Sequence, residues 1–386
     1  MPLSEDELEV LYRASGTIGA SLDTQEVRGL LATEAQRVIP SDATVVLLGD
    51  ARPDHGWAAS APLIESVRHS GQPDFTDRLL CVPIRAGEKP LGVVVLWREA
   101  GRSSYTASDE KLLVVLASQA GVALERARLH RQEKRRLQME QELTVARQIQ
   151  LTLVPSHPPQ IPGWSFAAAY HAARQVGGDF YDFMNHAIAD GRLGLAIADV
   201  TGKGVPAALM MAYSRAVLRA GSMDGATPVE VLEKSNQLIM QERHSGLFVS
   251  AFYGEIELET GQLSYASAGH DAPLWIKAGG AQLAELEAPG VILGAYQDTG
   301  LEARSVVLDP GDTLVLFTDG VTEAHREDRE LFGDDRLQSV AAAAVAGGGS
   351  AQSVLEAVLL SVAEFCGDAE QADDLTVVVV QRDRLP

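Results

Sequence analysis

The chain has 386 residues, enough for two or three domains, and its 46% hydrophobic and 22% charged composition excludes intrinsic disorder for most of its length. Fifty-three acidic residues against 32 Lys and Arg give a formal charge of −21, which excludes a surface built to hold a nucleic-acid phosphate backbone. Two cysteines, Cys81 and Cys366, form neither a disulfide framework nor a thiolate metal site. The acidic N-terminus, MPLSEDELEV, has no secretory pattern, and no apolar run reaches the roughly 18 residues of a membrane span. A reducing cytoplasm, with no membrane attachment of the chain's own, is the expectation.

In chain order, residues 5–38 read as helix, with partial 3–4 spacing of Leu8, Leu11, Tyr12 and Ile18 repeated around Val27, Leu30 and Leu31. ATVVLLGD (43–50) reads as a strand and 61–73 as a short helix closed by Gly-Gln-Pro. LLCVPIRAGEKPLGVVVLWRE (79–99) is the strongest hairpin signal, two β-branched runs around Gly87 and Pro90. Cys81, on the first of them, reads as a buried small hydrophobe. A long helix then begins near Ser108, the expected N-cap, with Asp109 and Glu110 in its first turn. This order of elements, with the VPI…G…LGVVVL hairpin, resembles a GAF-type sensory domain over residues 1–128. The resemblance implies a ligand or signal sensor and a dimerisation module; the short loop 50–62 argues against a large pocket.

No Gly or Pro occurs from 122 to 154, and six Arg or Lys fall within 126–136. Residues 129–155 are therefore expected to continue the helix as a signalling linker, a parallel coiled coil joining two copies. His130 reads as a solvated helix residue. Pro155, Pro158, Pro159 and Pro162 mark the boundary.

From 156 to 386 the rhythm changes. Strands are expected near 165–171, 180–185, 193–199, 248–257, 262–268, 273–277, 303–308, 313–318 and 375–381, and helices at 205–221, 228–243, 334–346 and 351–365. Antiparallel-looking runs with Gly turns, and helices arriving in pairs, predict an α+β sandwich: two antiparallel sheets packed together with helices outside. AAAAVAGGGS (341–350) reads as a surface loop.

Four carboxylate clusters fall at strand ends: Asp179 and Asp182 in QVGGDFYDF, Asp199 in LAIADVTGKG, Asp319 in TLVLFTDGVTEA, and Asp373 with Asp374 in QADDLTVVVV. A lone aspartate at a strand end is usually a turn former. Carboxylates converging from four buried strands would repel one another unless cations lay between them, and hard divalent ions prefer such oxygen donors. No His–Cys constellation offers zinc an alternative.

VGGDFYDF, ADVTGKG, FTDGVTEA and DDLTVVVV, in this order, resemble the metal-dependent (PPM, type 2C-like) protein phosphatases, most closely the sporulation stage II E-like sigma-regulator group. ELTVARQIQLTLVPSHPP upstream resembles that group's entry helix. The resemblance implies a β-sandwich flanked by helices. It also implies two Mn²⁺ or Mg²⁺ ions and hydrolysis of phosphoserine or phosphothreonine by a water that the two ions activate. Carried over, Asp179 bridges both ions, Asp199 binds the first, the Val200 carbonyl helps the second, and Asp319 and Asp373 complete it. Arg174 is the phosphate-binding candidate, Asp182 and Asp374 supporting candidates, and His270 of AGH a structural residue. The implied substrate is a phosphorylated anti-sigma-factor antagonist. Two alternatives are a metal-poor binding scaffold with a phosphatase fold and, from the lone GGD, a diguanylate cyclase.

Overall fold

The computed structural model describes residues 5–241 and 246–384, so the last two positions of the helix expected over 228–243 lie outside the described residues. It divides into two compact units between Glu140 and Gln141.

The N-terminal unit opens with α1 (Glu5–Ala20) and α2 (Thr24–Val38). The single helix expected over 5–38 is thus two, because Asp23 caps α2 by accepting from the backbone N–H groups of Gln25 and Glu26. Leu11 and Ile18 are buried as the spacing predicts, but Tyr12 is 85% exposed. β1 (Ala43–Leu48), α3 (Ala61–Ser70), β2 (Asp74–Phe75), β3 (Leu79–Ala86) and β4 (Lys89–Trp97) follow. The antiparallel sheet runs β1-β4-β3-β2. Strand alternation splits its side chains: Leu80, Val82, Ile84, Val94 and Leu96 pack under α1, α2 and the start of the long helix, and Cys81, Val93 and Val95 pack with Ile64 and Val67 of α3. Burial pushes the Cys81 thiol up to about 12, the setting of an inert hydrophobe. An open cavity of about 610 Å³, lined in part by Trp57, Trp97, Asp77 and Arg78, shows that the short 50–62 loop does not preclude a sizeable pocket.

α4 (Ala107–Leu153) is continuous over 47 residues. Its cap is Thr106 rather than Ser108: Thr106 Oγ1 accepts from Asp109 N–H while Asp109 accepts from Thr106 N–H. Gly121 lies so close to β3 that a Cβ there would sit 1.9 Å from the Arg85 carbonyl oxygen.

The C-terminal unit contains β5 (Trp164–His171), β6 (Phe180–Met184), β7 (Arg192–Val200), α5 (Val205–Gly221), α6 (Pro228–Gln241), β8 (Val249–Glu257) and β9 (Gln262–Ala268). β10 (Leu274–Ile276), β11 (Leu283–Glu285), β12 (Arg304–Val307), β13 (Thr313–Phe317), α7 (Asp319–Thr322), α8 (Asp334–Ala346), α9 (Ala351–Cys366) and β14 (Leu375–Arg382) complete it. The strands form two five-stranded antiparallel sheets, β11-β10-β13-β14-β5 and β12-β9-β8-β7-β6. LTVVVV reads as an unbroken apolar run because both faces of β14 are covered: Val378 and Val380 join the inter-sheet core, and Val377 and Val379 meet α8 and α9. α8 extends through Ala346, so the first six residues of the expected 341–350 loop are helical and only the glycine end turns.

Candidate active site

Antiparallel pairing gathers the motifs at one end of the sandwich. β13 ends at Phe317, opposite Val377 of β14, so Asp319 leaves that edge where Asp373 and Asp374 enter it. His171 of β5 pairs with Leu375, placing the 172–179 loop at the same end. In the other sheet Phe180 pairs with Ala198, so Asp179 just before β6 and Asp199 near the end of β7 are neighbours.

Asp179 is 1% exposed, and its Oδ2 accepts from Thr318 Oγ1 at 2.6 Å and Thr376 Oγ1 at 2.7 Å, tying one sheet to the other. Burial, and then the Asp199 charge, raise its carboxyl well above the ordinary range. Asp199, half-buried, is raised first by burial and further by the charges of Asp373 and Asp374. Asp319 is pushed up to about 7, by burial and then by Asp199, Asp373, Glu323 and Asp271. Asp373 Oδ2 meets Lys203 Nζ at 2.7 Å, and that ammonium also donates to the Ala372 carbonyl.

Asp374 is the fastener of the 173–179 loop. Its Oδ1 accepts from Ala173 N–H at 2.8 Å and its Oδ2 from Gly178 N–H at 2.6 Å. Two glycines are required by contact. A Cβ on Gly178 would sit 2.8 Å from the Val200 carbonyl oxygen, and one on Gly320 1.8 Å from that of Asp374. Arg174, in the same loop, is exposed.

Asp182 is placed elsewhere. β6 alternates, so Asp182 faces α5, where Arg219 donates to both its oxygens at 2.9 and 2.8 Å and Arg215 approaches to 2.8 Å. It fixes a helix to a sheet. His270 faces Ser250 Oγ through Nδ1 at 3.0 Å, and burial pulls its imidazole down to about 4.

Lys203, Thr318, Thr376, Asp271 and Glu323 were not singled out from the sequence. Lys203 and the threonines lie inside the quoted motifs, where position beside the aspartates was the available signal. Glu323 also lies inside a quoted motif, FTDGVTEA; Asp271 carried no such signal.

The donor set suits a hard divalent cation: oxygen atoms only, with Asp179, Asp199 and Asp319 all raised first by burial and then by acidic neighbours. Among the described residues no three His, Cys, Asp or Glu side chains close around a single point, and Asp373 is paired with Lys203.

A two-sheet sandwich with helices on both outer faces, carrying this carboxylate cluster at one end, defines the PP2C class of protein phosphatase fold. Residues 189–383 match the stage II sporulation protein E (SpoIIE) family, and residues 9–125 match the GAF domain. The chain is 32% identical over 245 residues to phosphoserine phosphatase RsbU of Bacillus subtilis, covering 64% of this chain and 71% of that protein. It resembles the solved RsbU and RsbW domains of a Mycobacterium tuberculosis protein, with 29% identity and a TM-score of 0.52, over 59% of this chain and 64% of that one. The SiaA PP2C domain of Pseudomonas aeruginosa shares the fold at 23% identity and a TM-score of 0.57, over 65% of this chain and 98% of that one. The chain belongs to the SpoIIE family and is a PP2C-type protein phosphatase with an N-terminal GAF domain. The diguanylate-cyclase and binding-scaffold alternatives give way to this assignment. The GGD sequence here is the loop that delivers Asp179 to β6.

Proposed function

We propose that the chain is a signal-regulated phosphoserine and phosphothreonine phosphatase that holds two divalent cations, Mn²⁺ or Mg²⁺. Asp179, Asp199, Asp319, Asp373 and the Val200 carbonyl would hold them. When bound, the cations supply a lowered water pKa and charge to offset the phosphoryl oxygens. The chain's own groups do the rest. Thr318 and Thr376 orient Asp179, Asp374 holds the loop carrying Arg174, and Arg174 offers its planar fork to phosphate oxygens. The observation that carries this reading is the gathering of Asp179, Asp199, Asp319 and Asp373 at one end of the sandwich by strand pairing, a like-charge cluster that a bound cation would relieve. Similarity to RsbU supports a phosphorylated anti-sigma-factor antagonist as substrate, in a partner-switching pathway. Leu137, Met139, Val145 and Ile149, exposed along α4, support pairing of two copies into a coiled-coil homodimer.

The test is hydrolysis of an aryl phosphate and of a phosphoserine peptide with Mn²⁺, with EDTA, and by Asp319→Asn with Mn²⁺. Turnover should require the metal and fall by more than roughly 100-fold in the variant, since loss of even a supporting group near a metal costs 10–100-fold. Metal-independent turnover, or an unaffected variant, would overturn the reading.

A further inference from the structure

Gln150 is the one buried residue of α4 between 128 and 153; every other residue in that stretch is exposed or half-exposed. A polar side chain buried alone on an otherwise solvated helix segment is costly unless its amide is satisfied. Here it is satisfied twice, by one residue. Gln150 Nε2 donates to the Gly177 carbonyl at 2.7 Å, and Gly177 N–H donates to Gln150 Oε1 at 3.1 Å. The side chain is 5% exposed.

Gly177 has little room to move independently. A Cβ on it would lie 2.1 Å from Asp374 Oδ2 and 2.3 Å from the Tyr170 hydroxyl. Gly178 next to it is bonded to Asp374 and lies against the Val200 carbonyl. Asp179 follows directly. The residue Gln150 grips is therefore two peptide units from Asp179, with Asp374 and Tyr170 against Gly177 and Val200 against Gly178. α4 is fastened just beyond by Val154 in the sandwich core and by Tyr181, whose hydroxyl donates to the Pro155 carbonyl.

We propose that Gln150 is a positioning residue for phosphoryl hydrolysis. Its two hydrogen bonds to Gly177 hold the loop that places Asp179, so a shift or rotation of α4 reaches the carboxylate cluster through this side chain. A residue turns by about 100° per position around a helix, so even a fraction of one position carries the amide away from Gly177. The displacement orphans two buried backbone groups at once. The proposal rests on the phosphatase reading for its consequence in catalysis, but the clamp itself is measurable without it.

The experiment compares full-length wild type with Gln150→Met and Gln150→Ala. Methionine keeps the length and packing and removes both hydrogen bonds; alanine removes both bonds and the packing. Hydrogen–deuterium exchange is followed in peptides spanning 172–182, with β14 as an internal control. Mn²⁺ binding is measured by calorimetry, and kcat and KM are taken on an aryl phosphate. In Gln150→Met, exchange at Gly177 and Gly178 should accelerate by about 10- to 100-fold, the range set by leaving buried polar groups unpaired. β14 should be unchanged. Mn²⁺ affinity and kcat should fall together while KM for the small substrate stays within about twofold. If Gln150→Met matches wild type in loop exchange and Mn²⁺ affinity, packing alone matters and the proposal fails, whatever the alanine variant does. If both loop and β14 exchange rise equally in both variants, Gln150 is a stability residue only and the proposal fails. Wild type that hydrolyses nothing, with loop exchange still selectively faster in Gln150→Met, would overturn the phosphatase reading and leave the clamp standing.

Discussion

Asp182 and Asp374 stand in motifs of similar appearance yet perform different tasks. Asp374 accepts from the backbone of the Asp179 loop, and Asp182 is spent on two arginines of a helix. Period-two alternation along β6 decides it, sending Asp182 away from the face that Asp179 serves. His270 shows the cost of burial on a base. Its ordinary value of 6.5 drops to about 4, so the unfolded chain binds the proton more readily between those values. Stability is therefore intact above pH 6.5 and is lost as pH falls toward 4, by up to about 3 kcal/mol from this residue. Chemical denaturation of wild type and His270→Gln at pH 7.5 and pH 4.5 checks it. The variant should lose less stability across that interval, and equal losses would remove His270 from the account.

Elements are joined by a few polar contacts that apolar packing alone would not specify. Arg215 and Arg219 hold α5 to β6 through Asp182, which is 1% exposed against 18% and 36% for the two arginines. Asp182→Ala leaves both guanidinium groups without that partner. The expected loss is about 3 kcal/mol, at the low end for a broken buried pair because Arg219 is partly solvated. A urea unfolding midpoint measures it; a loss under about 0.5 kcal/mol would show the pair contributes little. The long helix was legible in the sequence from the absence of Gly and Pro between 122 and 154, and it ends at Leu153 just before Pro155. Its inward contact was not legible. The polar Gln150 of RQIQLTL carries no apolar signal, and its burial depends on a partner 27 residues away.

At the scale of the whole molecule, two units share one helix, and no helix among the described residues is long and apolar enough to cross a membrane. If the GAF unit governs the phosphatase, removing residues 1–120 should change basal hydrolysis or the oligomeric state seen by sedimentation. No change in either would sink the coupling.

The sequence by itself determined the order of elements, the sandwich and the aspartates that meet at its end. Strand periodicity, turn residues and strand-end carboxylates are local signals, and a strand with both faces covered is written as an unbroken apolar run. Only the tertiary structure decided which aspartates face one another, that Lys203 pairs with Asp373, that Asp182 serves a helix, and that Gln150 grips Gly177. Those outcomes depend on sheet pairing and on contacts between residues distant in the chain, 27 positions apart for Gln150 and Gly177 and 170 for Lys203 and Asp373, where the identity of a side chain says what it can bond but not what lies within reach.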